Sequence, residues 1–391
     1  MAMMSVHIEK KYDKKLSQAH CMTTRILKMI SSARRIGLHV LCLSALAVLI
    51  LAGPAPCQEM RKATFLPQWS PQAQFAGYYV AHAKGFYARR GIDLEILRGG
   101  PDRPAAQALA QKEAEFVTLF LSTGIDLRSN GLEILNIGQI VQRSALALVA
   151  KRSSGIRAVK DLDGKAVSIW PDFALQPRAF FRKYNLHVRV APQGGSISLF
   201  LRGGVDAASV MLYNEYHTIL NSGLDPAELR VFDFSHYGIN FPEDGIYCLE
   251  QTLKESPELC RDFVLASIEG WAYALEHTEE ALDIVMKHVR AANLPTNRVH
   301  QKWMLEHMRD IIMPPGKNIP MGTLLPDDPV QQEEQVAAAV EAGLQQGKSN
   351  VVVKAERSVK HHEVSRVSSA VGNVEGVRLY MGVIEMQGEG D

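Results

Sequence analysis

The feature that most constrains the fold is a strand–helix–strand pattern within residues 63–97. The segment ATFLPQW is typical of a short strand, and the apolar positions after it, among them Phe75 and Tyr79, recur at helical spacing. Gly91 is placed to end this helix in the left-handed conformation, and IDLEIL then alternates apolar and acidic residues as a strand does. Such a unit forms a parallel pair of strands joined by a right-handed crossover.

The alternation of helices and strands continues along the chain and starts afresh near residue 166. An apolar extended run at 144–151 and a polar connector separate the two sets. A faint repeat supports the division, because ALAQKEAEFVTLF and FLRGGVDAASVML both run from a helix end through a polar or glycine break to a strand. We therefore predict an α/β protein with two similar lobes joined by extended crossings.

Composition is that of a folded chain without a nucleic-acid partner. The 391 residues, 47% hydrophobic and 22% charged, are ordinary for a globular protein of about two domains. The net charge is +1, but residues 1–57 hold eight Lys or Arg against two acidic residues. The remainder is mildly acidic and has no basic stripe, which argues against nucleic-acid binding.

The N-terminal segment has the order of a secretory signal. Arg34 and Arg35 precede the apolar run IGLHVLCLSALAVLILAG, which ends in small residues. We therefore predict an export segment at residues 1–57 and a periplasmic or otherwise extracytoplasmic protein. Two alternatives stay open: the run is long enough to remain as a membrane anchor, and Cys57 could carry a lipid although Pro56 is a poor match to a lipid-attachment motif.

The cysteines are few and do not suggest a metal. Export places the mature chain in an oxidising compartment. Beyond residue 57 the cysteines are Cys248 and Cys260, which could pair, although sequence does not give their geometry. There is no Cys-x-x-Cys motif or Cys/His cluster, and neither a metal nor a cofactor is expected.

Four predicted strand ends carry aromatic, hydroxyl or amide groups. In open α/β sheets, ligands bind at the carboxyl ends of the strands, close to helix N-termini. The four strand ends lie at residues 69–70, 121–123, 170–172 and 213–215. From these segments we predict that Trp69, Ser122, Trp170 and Tyr213 contact a ligand.

Trp69 has two interpretations. If Ser70 caps the following helix and Pro71 is its first residue, Trp69 packs on the helix as a hydrophobic staple. If it follows a strand at the edge of a cleft, its ring faces the ligand. A strand end in a two-lobed exported chain favours the second interpretation.

The residues after Trp69 are harder to assign. Neighbours on a helix point about 100° apart, so Tyr78 and Tyr79 are not expected both to face the core, and one is available to a cleft. Gln74 is a candidate ligand contact. Gln68 and Gln72 are interpreted as polar residues of the helix start.

Acidic side chains occur at two of the candidate segments. FPEDGIY places Glu243 and Asp244 in a turn that either faces solvent or directs one carboxylate at a ligand amine or protonated ring nitrogen. In YNEYH, Glu215 either stabilises the helix start or binds the ligand together with Asn214. A zinc site is disfavoured, because Glu215 and His217 are two residues apart and do not share a helix face.

These motifs, in their order along residues 61–325, resemble a known family. WSPQAQFAGYYVAHAKGFYARRGIDLEILRGG, DLDGKAVSIW, GGVDAASVMLYNEYH and FPEDGIY are similar to motifs of fungal thiamine-pyrimidine synthases and their bacterial solute-binding relatives. Nitrate, sulfonate and taurine binding proteins are more distant kin. The resemblance implies the type II periplasmic-binding-protein fold, with a ligand cleft and a two-strand hinge. The implied parts are lobe 1 at 58–148 and 246–347, lobe 2 at 149–245, and a tail of unclear structure at 348–391.

The resemblance also implies a function. It predicts a solute-binding protein of an ABC importer, with permease and ATPase partners and a thiamine-precursor pyrimidine or similar small heteroaromatic as ligand. Trp69, Ser122 and Trp170 come from the strand ends, and the resemblance assigns ligand contacts to Trp69, Gln74, Tyr78, Tyr213, Asn214, Glu215 and Asp244.

Three alternatives stay open. The first is a pyrimidine synthase with His82 or His217 as donor, which the export signal and the missing cysteine cluster of the fungal synthases oppose. The second is a binding protein for sulfonate, nitrate, taurine or riboflavin. The third is a membrane-tethered sensor lobe.

Overall fold

The computed structural model describes residues 60–316, 319–324, 350–356 and 377–384, together with positions 340, 344, 371 and 374. The predicted export segment, with its alternatives of an anchor or a lipid on Cys57, lies outside the described residues. Within the described part of the chain, no helix is both long enough and apolar enough to cross a membrane.

The strands follow the predicted alternation closely. They are β1 (Arg61–Leu66), β2 (Ile92–Ile96), β3 (Phe116–Leu119), β4 (Ile134–Gln139), β5 (Leu146–Lys151), β6 (Ala166–Ile169), β7 (Arg189–Pro192), β8 (Ala207–Met211), β9 (Leu229–Asp233), β10 (Gly245–Leu249), β11 (Asn350–Glu356) and β12 (Arg378–Ile384). Sequence patterning missed β9, whose five residues LRVFD do not alternate cleanly. In the tail, β11 and β12 form a parallel pair.

The helices fill the intervals between the strands and dominate after β10. They are α1 (Ala76–Ala83), α2 (Phe86–Arg89), α3 (Ala105–Ala110), α4 (Leu121–Ser129), α5 (Leu175–Lys183), α6 (Ser198–Leu201), α7 (Glu215–Asn221), α8 (Glu250–Glu255), α9 (Pro257–Glu276), α10 (Thr278–Ala291) and α11 (Arg298–Ile312).

The two large sheets share one topology. Their strand orders are β2-β1-β3-β10-β4 and β7-β6-β8-β5-β9. In each order the first three strands are parallel to one another. The fourth strand, β10 in one sheet and β5 in the other, is antiparallel to the third and follows a crossing of the chain between the sheets. The strands of the faint repeat, β3 and β8, occupy the same central position. We call each sheet with the helices packed on it the first and the second lobe.

The chain crosses between the lobes twice, after β4 and after β9. Gln139, at the end of β4, holds the two crossings together, because its Nε2 donates to the Val141 and Glu243 carbonyl oxygens at 2.7 Å each. The Val141 amide also donates to the Asp244 carbonyl at 3.2 Å. A single buried amide side chain therefore binds both connections between the lobes.

The first helix starts later than predicted. Ser70 and Pro71 are not its cap and first residue, because a 3₁₀ turn at Ala73–Phe75 precedes α1. Gly85, with φ of 71°, then separates α1 from α2. Gly91 ends the segment with φ of 70°, as predicted.

The expectation that only one of Tyr78 and Tyr79 is buried was wrong. Both are almost fully buried, at 0% and 1% exposure. Helix α1 is covered on two sides, since Tyr78 contacts Phe65 of β1 with ring centroids 4.6 Å apart and Tyr79 stacks on His288 of α10 at 4.0 Å. A helix between a sheet and other helices can bury adjacent residues.

Helices α1 and α9 approach each other through glycines. A Cβ added at Gly270 would overlap the carbonyl oxygen of Gly77 and lie 2.5 Å from the Cβ of Ala81. A Cβ added at Gly77 would overlap the indole of Trp271. The two backbones therefore pack at a distance that only residues without a side chain allow.

Cys248 of β10 and Cys260 of α9 are free, buried thiols. A hydrogen bond with Cys260, together with burial, raises the pKa of the Cys248 thiol, and the same bond lowers the pKa of Cys260. The two free thiols are therefore in contact, which is the proximity needed for the pairing that the sequence left open.

Candidate functional site

The carboxyl ends of β1, β3, β6 and β8 meet at one pocket between the lobes, which we call the cleft pocket. It is lined by Gln68, Trp69, Gln72, Gln74, Phe120, Trp170, Phe173, Met211, Tyr213, Asn214 and Glu215. Of these lining residues none is basic and Glu215 alone is acidic. A site with this lining favours a neutral or cationic ligand over an anion.

The walls of the cleft pocket are aromatic and belong to both lobes. The ring centroid of Phe173, which follows β6 in the second lobe, lies 6.1 Å from that of Trp69 and 4.7 Å from that of Phe120 in the first lobe. Trp170 contacts Phe173 edge-on at 6.3 Å. The cavity volume is about 30 Å³, so a flat ring enters only when these walls separate.

The floor of the cleft pocket is a row of amides held by a buried carboxylate. Gln74 Nε2 donates to Asp244 Oδ2 at 2.8 Å, and Gln68 Nε2 donates to Asp244 Oδ1. Gln72 Nε2 in turn donates to Gln74 Oε1 at 2.5 Å. Asp244 is 2% exposed and does not line the pocket itself.

This row fixes which amide atoms remain for a ligand. Because the Nε2 groups of Gln68 and Gln72 are used within the row, their Oε1 atoms are left, and these accept no hydrogen bond from the described residues. A carboxylate accepts and does not donate, so ionised Asp244 determines this orientation. The floor therefore presents acceptors, which suit a ligand with N–H donors.

Glu215 supplies a further acceptor on the second-lobe wall. Its Oε1 accepts from Asn214 Nδ2 at 2.8 Å, and its Oε2 accepts from the Met211 amide at 3.0 Å. These bonds fix the carboxylate at the start of α7, where the helix dipole favours negative charge.

A chain of hydrogen bonds links this wall to the first lobe. Asn214 Oδ1 accepts from His300 Nε2 at 2.8 Å, and His300 Nδ1 lies 2.9 Å from Nδ1 of His217. His300 belongs to α11 of the first lobe, and His217 to α7 of the second. With its Nε2 protonated, neutral His300 accepts at Nδ1 from the protonated Nδ1 of His217. These hydrogen bonds therefore connect the two lobes across the cleft and end at Asn214, which lines the pocket.

A third carboxyl lies behind the pocket, at the crossings. Glu243 Oε1 accepts from the Ala145 amide at 2.6 Å and from Ser144 Oγ at 3.1 Å. Burial and the neighbouring Asp244 charge raise the pKa of Glu243 to about 8. Burial raises the pKa of Asp244 and of Glu215 to about 7 each. The ion pairs of the described residues include none of these three carboxyls.

From the raised pKa values of the three carboxyls we predict that the free energy of unfolding of the unliganded protein falls as pH rises. Their pKa values are raised above the unfolded values of 3.8 and 4.5, so their stabilising contribution is present at low pH and is lost as pH passes through 7 to 8. We expect the melting temperature to fall from pH 6 to pH 8.5, and Asp244→Asn to reduce that fall. His300 has the opposite effect, because its pKa is lowered to about 4. Its contribution to the free energy of unfolding is lost as pH falls below about 6.5.

Calorimetric melting from pH 5 to pH 9 measures this dependence. Asp206→Asn is the matched control, because Asp206 also accepts from a backbone amide but lies outside the cleft pocket. A melting temperature that rises between pH 6.5 and pH 8.5 would contradict the assignment of raised pKa values.

The structure brings six of the nine candidate site residues into the pocket lining: Trp69, Gln74, Trp170, Tyr213, Asn214 and Glu215. Asp244 lies one layer behind, holding Gln68 and Gln74. Tyr78 lies in the core between β1 and α9, and Ser122 is a buried residue of α4 outside the lining.

Sequence reasoning missed Gln68, Gln72, Phe120, Phe173 and Met211, all of which line the pocket. Phe120 and Phe173 are adjacent in sequence to the strand-end segments 121–123 and 170–172. An aromatic residue next to a predicted strand end was therefore the signal that could have identified them. Gln68 and Gln72 are not merely polar residues of a helix start.

The two histidines nominated for a synthase lie elsewhere. His82 is exposed on α1, and His217 is buried against His300 and stacks on Trp303 with centroids 4.5 Å apart. Neither lines the cleft pocket. Within the described residues, no group of three His, Cys, Asp or Glu side chains is arranged to hold a metal ion.

Comparison with known proteins gives both a family and a fold. The family model described as NMT1/THI5 like matches residues 72–281. The riboflavin-binding protein RibY of Chloroflexus aurantiacus is 27% identical over 262 residues, 62% of this chain and 71% of that protein. The formylaminopyrimidine-binding protein of Halalkalibacterium halodurans is 22% identical over 58% of this chain and 70% of that protein.

A relative named as an enzyme also matches. The 4-amino-5-hydroxymethyl-2-methylpyrimidine phosphate synthase of Legionella pneumophila is 21% identical over 57% of this chain and 72% of that protein. Among solved structures, the periplasmic aliphatic sulphonate binding protein SsuA of Escherichia coli aligns with a TM-score of 0.56 at 15% identity, covering 73% of this chain and 93% of SsuA. The predicted periplasmic-binding-protein fold is confirmed.

Proposed function

The chain belongs to the NMT1/THI5-like family, and from this premise we propose that it is the solute-binding protein of an ABC importer. Its ligand is a nitrogen heteroaromatic with N–H donors, of the pyrimidine class. The protein acts outside the cytoplasm and delivers the ligand to permease and ATPase partners. The proposed division is lobe 1 at 58–148 and 246–347 and lobe 2 at 149–245, bounds that fall within β5 (Leu146–Lys151) of the second sheet and at the start of β10 (Gly245–Leu249) of the first.

One observation carries the ligand assignment. Asp244 orients Gln68 directly and Gln72 through Gln74, so that the amide oxygens of Gln68 and Gln72 remain as acceptors in a pocket walled by Trp69 and Phe173. A flat ring stacks between the aromatic walls while its donor edge meets the acceptors. The relatives' ligands support this class, because riboflavin and formylaminopyrimidine both contain a pyrimidine ring with N–H groups.

The residues of the pocket support a binding function rather than catalysis by a synthase. The donor histidines that a synthase requires, His82 and His217, lie outside the pocket lining. A sulfonate or nitrate ligand is disfavoured, since the lining residues include no basic side chain to neutralise it.

The proposed ligand must contact both lobes to favour closure. Trp69 and Gln68 contribute from the first lobe, and Tyr213 and Glu215 from the second. Ligand contacts on both sides lower the free energy of the closed form relative to the open form, which the permease partner distinguishes.

Calorimetry of the full chain against thiamine, aminopyrimidines, riboflavin, taurine and nitrate tests the proposal. We expect a ring ligand to bind, taurine and nitrate not to bind, and Glu215→Gln to weaken ring binding about tenfold because an ionised acceptor is lost. Asp206→Asn, a second-lobe carboxylate outside the pocket, is the control and should bind as the wild type does. Binding of taurine or nitrate alone would overturn the ring assignment.

A further inference from the structure

A second, larger cavity opens directly beside the cleft pocket, and we call it the polar groove. Trp69, Gln72 and Asn214 line both cavities, so the two are adjacent and share a wall. The polar groove has a volume of about 430 Å³, against about 30 Å³ for the cleft pocket. When the walls of the cleft pocket separate to admit a ring, a substituent on that ring can reach this neighbouring space.

The polar groove is lined by neutral hydrogen-bonding side chains from both lobes. The first lobe contributes Ser70, Thr296, Asn297 and Gln301, and the second contributes Thr218 and Asn221. Trp69, Leu294 and the prolines Pro71, Pro101 and Pro295 add apolar surface beside these polar groups.

Several of these groups have free hydrogen-bonding capacity. Among the described residues Ser70 Oγ has no hydrogen-bond partner, and exposed Thr218 makes only a long bond of 3.4 Å to the Asn214 carbonyl. Asn297 accepts from the His300 amide through Oδ1, which leaves its Nδ2 donor. The groove thus offers both donors and acceptors, and a hydroxyl group is both at once.

The groove offers no charge to an anion. Its lining residues include no Lys, Arg, Asp or Glu, and His300 is the titratable side chain among them. Burial lowers the pKa of His300 to about 4, so this imidazole is neutral at neutral pH. The nearby Arg98 is already paired with Asp102. A phosphate or sulfonate in the groove would lose its hydration without gaining a counter-charge.

We propose that the polar groove binds an uncharged, hydroxyl-rich substituent attached to the ring that the cleft pocket holds. The proposal rests on the proposed function, and it narrows the ligand class to a heteroaromatic ring that carries a polyol chain. Because Ser70 and Asn297 lie on one lobe and Thr218 and Asn221 on the other, the substituent also adds contacts that favour the closed form.

Three flavins with the same ring test the proposal with the full chain. Riboflavin carries a polyhydroxyl chain, lumiflavin has a methyl group in its place, and riboflavin 5′-phosphate adds a charged terminus. We expect riboflavin to bind at least about tenfold more tightly than lumiflavin, as two or three additional hydrogen bonds would produce. We expect the phosphate form to bind at least about tenfold more weakly than riboflavin, because the groove supplies no cation.

Two groove variants assign the difference to the groove. Ser70→Ala and Thr218→Val should each weaken riboflavin binding by about threefold or more and leave lumiflavin binding unchanged, because each removes one hydroxyl from one lobe. Thr252→Val, on α8 and outside both cavities, is the control and should change neither.

The outcomes separate this proposal from the function on which it rests. Equal binding of riboflavin and lumiflavin, or tightest binding of the phosphate form, would overturn the groove proposal and leave the ring site standing. Binding of a bare aminopyrimidine with no flavin binding would do the same. If no ring compound binds at all, the proposed function itself fails.

Discussion

Replacing Trp69 with alanine is expected to weaken ring binding by about 30- to 150-fold, equivalent to about 2 to 3 kcal/mol of lost stacking and burial. Trp69 lines both cavities and faces Phe173 across the cleft at 6.1 Å, so it is an aromatic surface that a ring can cover. Because the side chain is only partly buried, the melting temperature should change little. Isothermal calorimetry and thermal melting measure the two effects.

Trp69→Phe is the graded control and should retain most of the affinity, since it keeps an aromatic face. The opposite pattern would assign a structural role to Trp69: wild-type affinity in the alanine variant, or a large drop in melting temperature, would mean that the indole packs on the protein and not on a ligand.

Gly270→Ala should produce the largest loss of stability, about 2 to 3 kcal/mol even after the gain in helix propensity. The added methyl group would overlap the Gly77 carbonyl oxygen and crowd Ala81, and these are backbone and near-backbone atoms that cannot rotate away. Helices α1 and α9 must therefore separate. Thermal melting should show a decrease of roughly 5 °C or more.

Gly194→Ala is the matched control, because a methyl group there meets no atom within 4 Å, and its stability should equal that of the wild type. Equal melting temperatures for Gly270→Ala and the wild type would show that α1 and α9 are not packed as closely as described.

The fold could be predicted because its signals are local. Alternation in IDLEIL, helical spacing after Phe75 and the glycine at 91 each depend on a few neighbouring residues. The missed strand β9 pairs with β5, a partner about 80 residues away in sequence, and its own five residues have little alternation. Long-range pairing is what decides such a strand.

Sequence could predict the site residues that strand topology places, but not how deeply each side chain is buried. The rule of strand carboxyl ends brought Trp69, Trp170 and Tyr213 to one pocket, although they are far apart in sequence. It does not say how far below the surface a side chain lies. Asp244 and Tyr78 are both buried beneath the lining, and only the packed structure separates a residue that touches a ligand from one that orients its neighbour.

The end of β3 differs from its predicted position by one residue, and this bears on which residue lines the pocket. β3 ends at Leu119, and not at Phe120 as the pattern FVTLF suggests, so Phe120 and not Ser122 faces the pocket. Likewise, the delayed start of the first helix frees Gln68 and Gln72 to extend into the cleft.

The amide of Gln139 limits how the two lobes can move. Gln139 Nε2 donates to the Glu243 carbonyl and the Val141 amide donates to the Asp244 carbonyl, so the two connections cannot slide past each other without breaking these bonds. These bonds oppose displacement of one connection along the other, whereas opening and closing of the lobes by rotation about the joined connections keeps them. Each opening should then return the pocket walls to the same register, so that a fresh ligand meets the same alignment of stacking surface and acceptors every cycle.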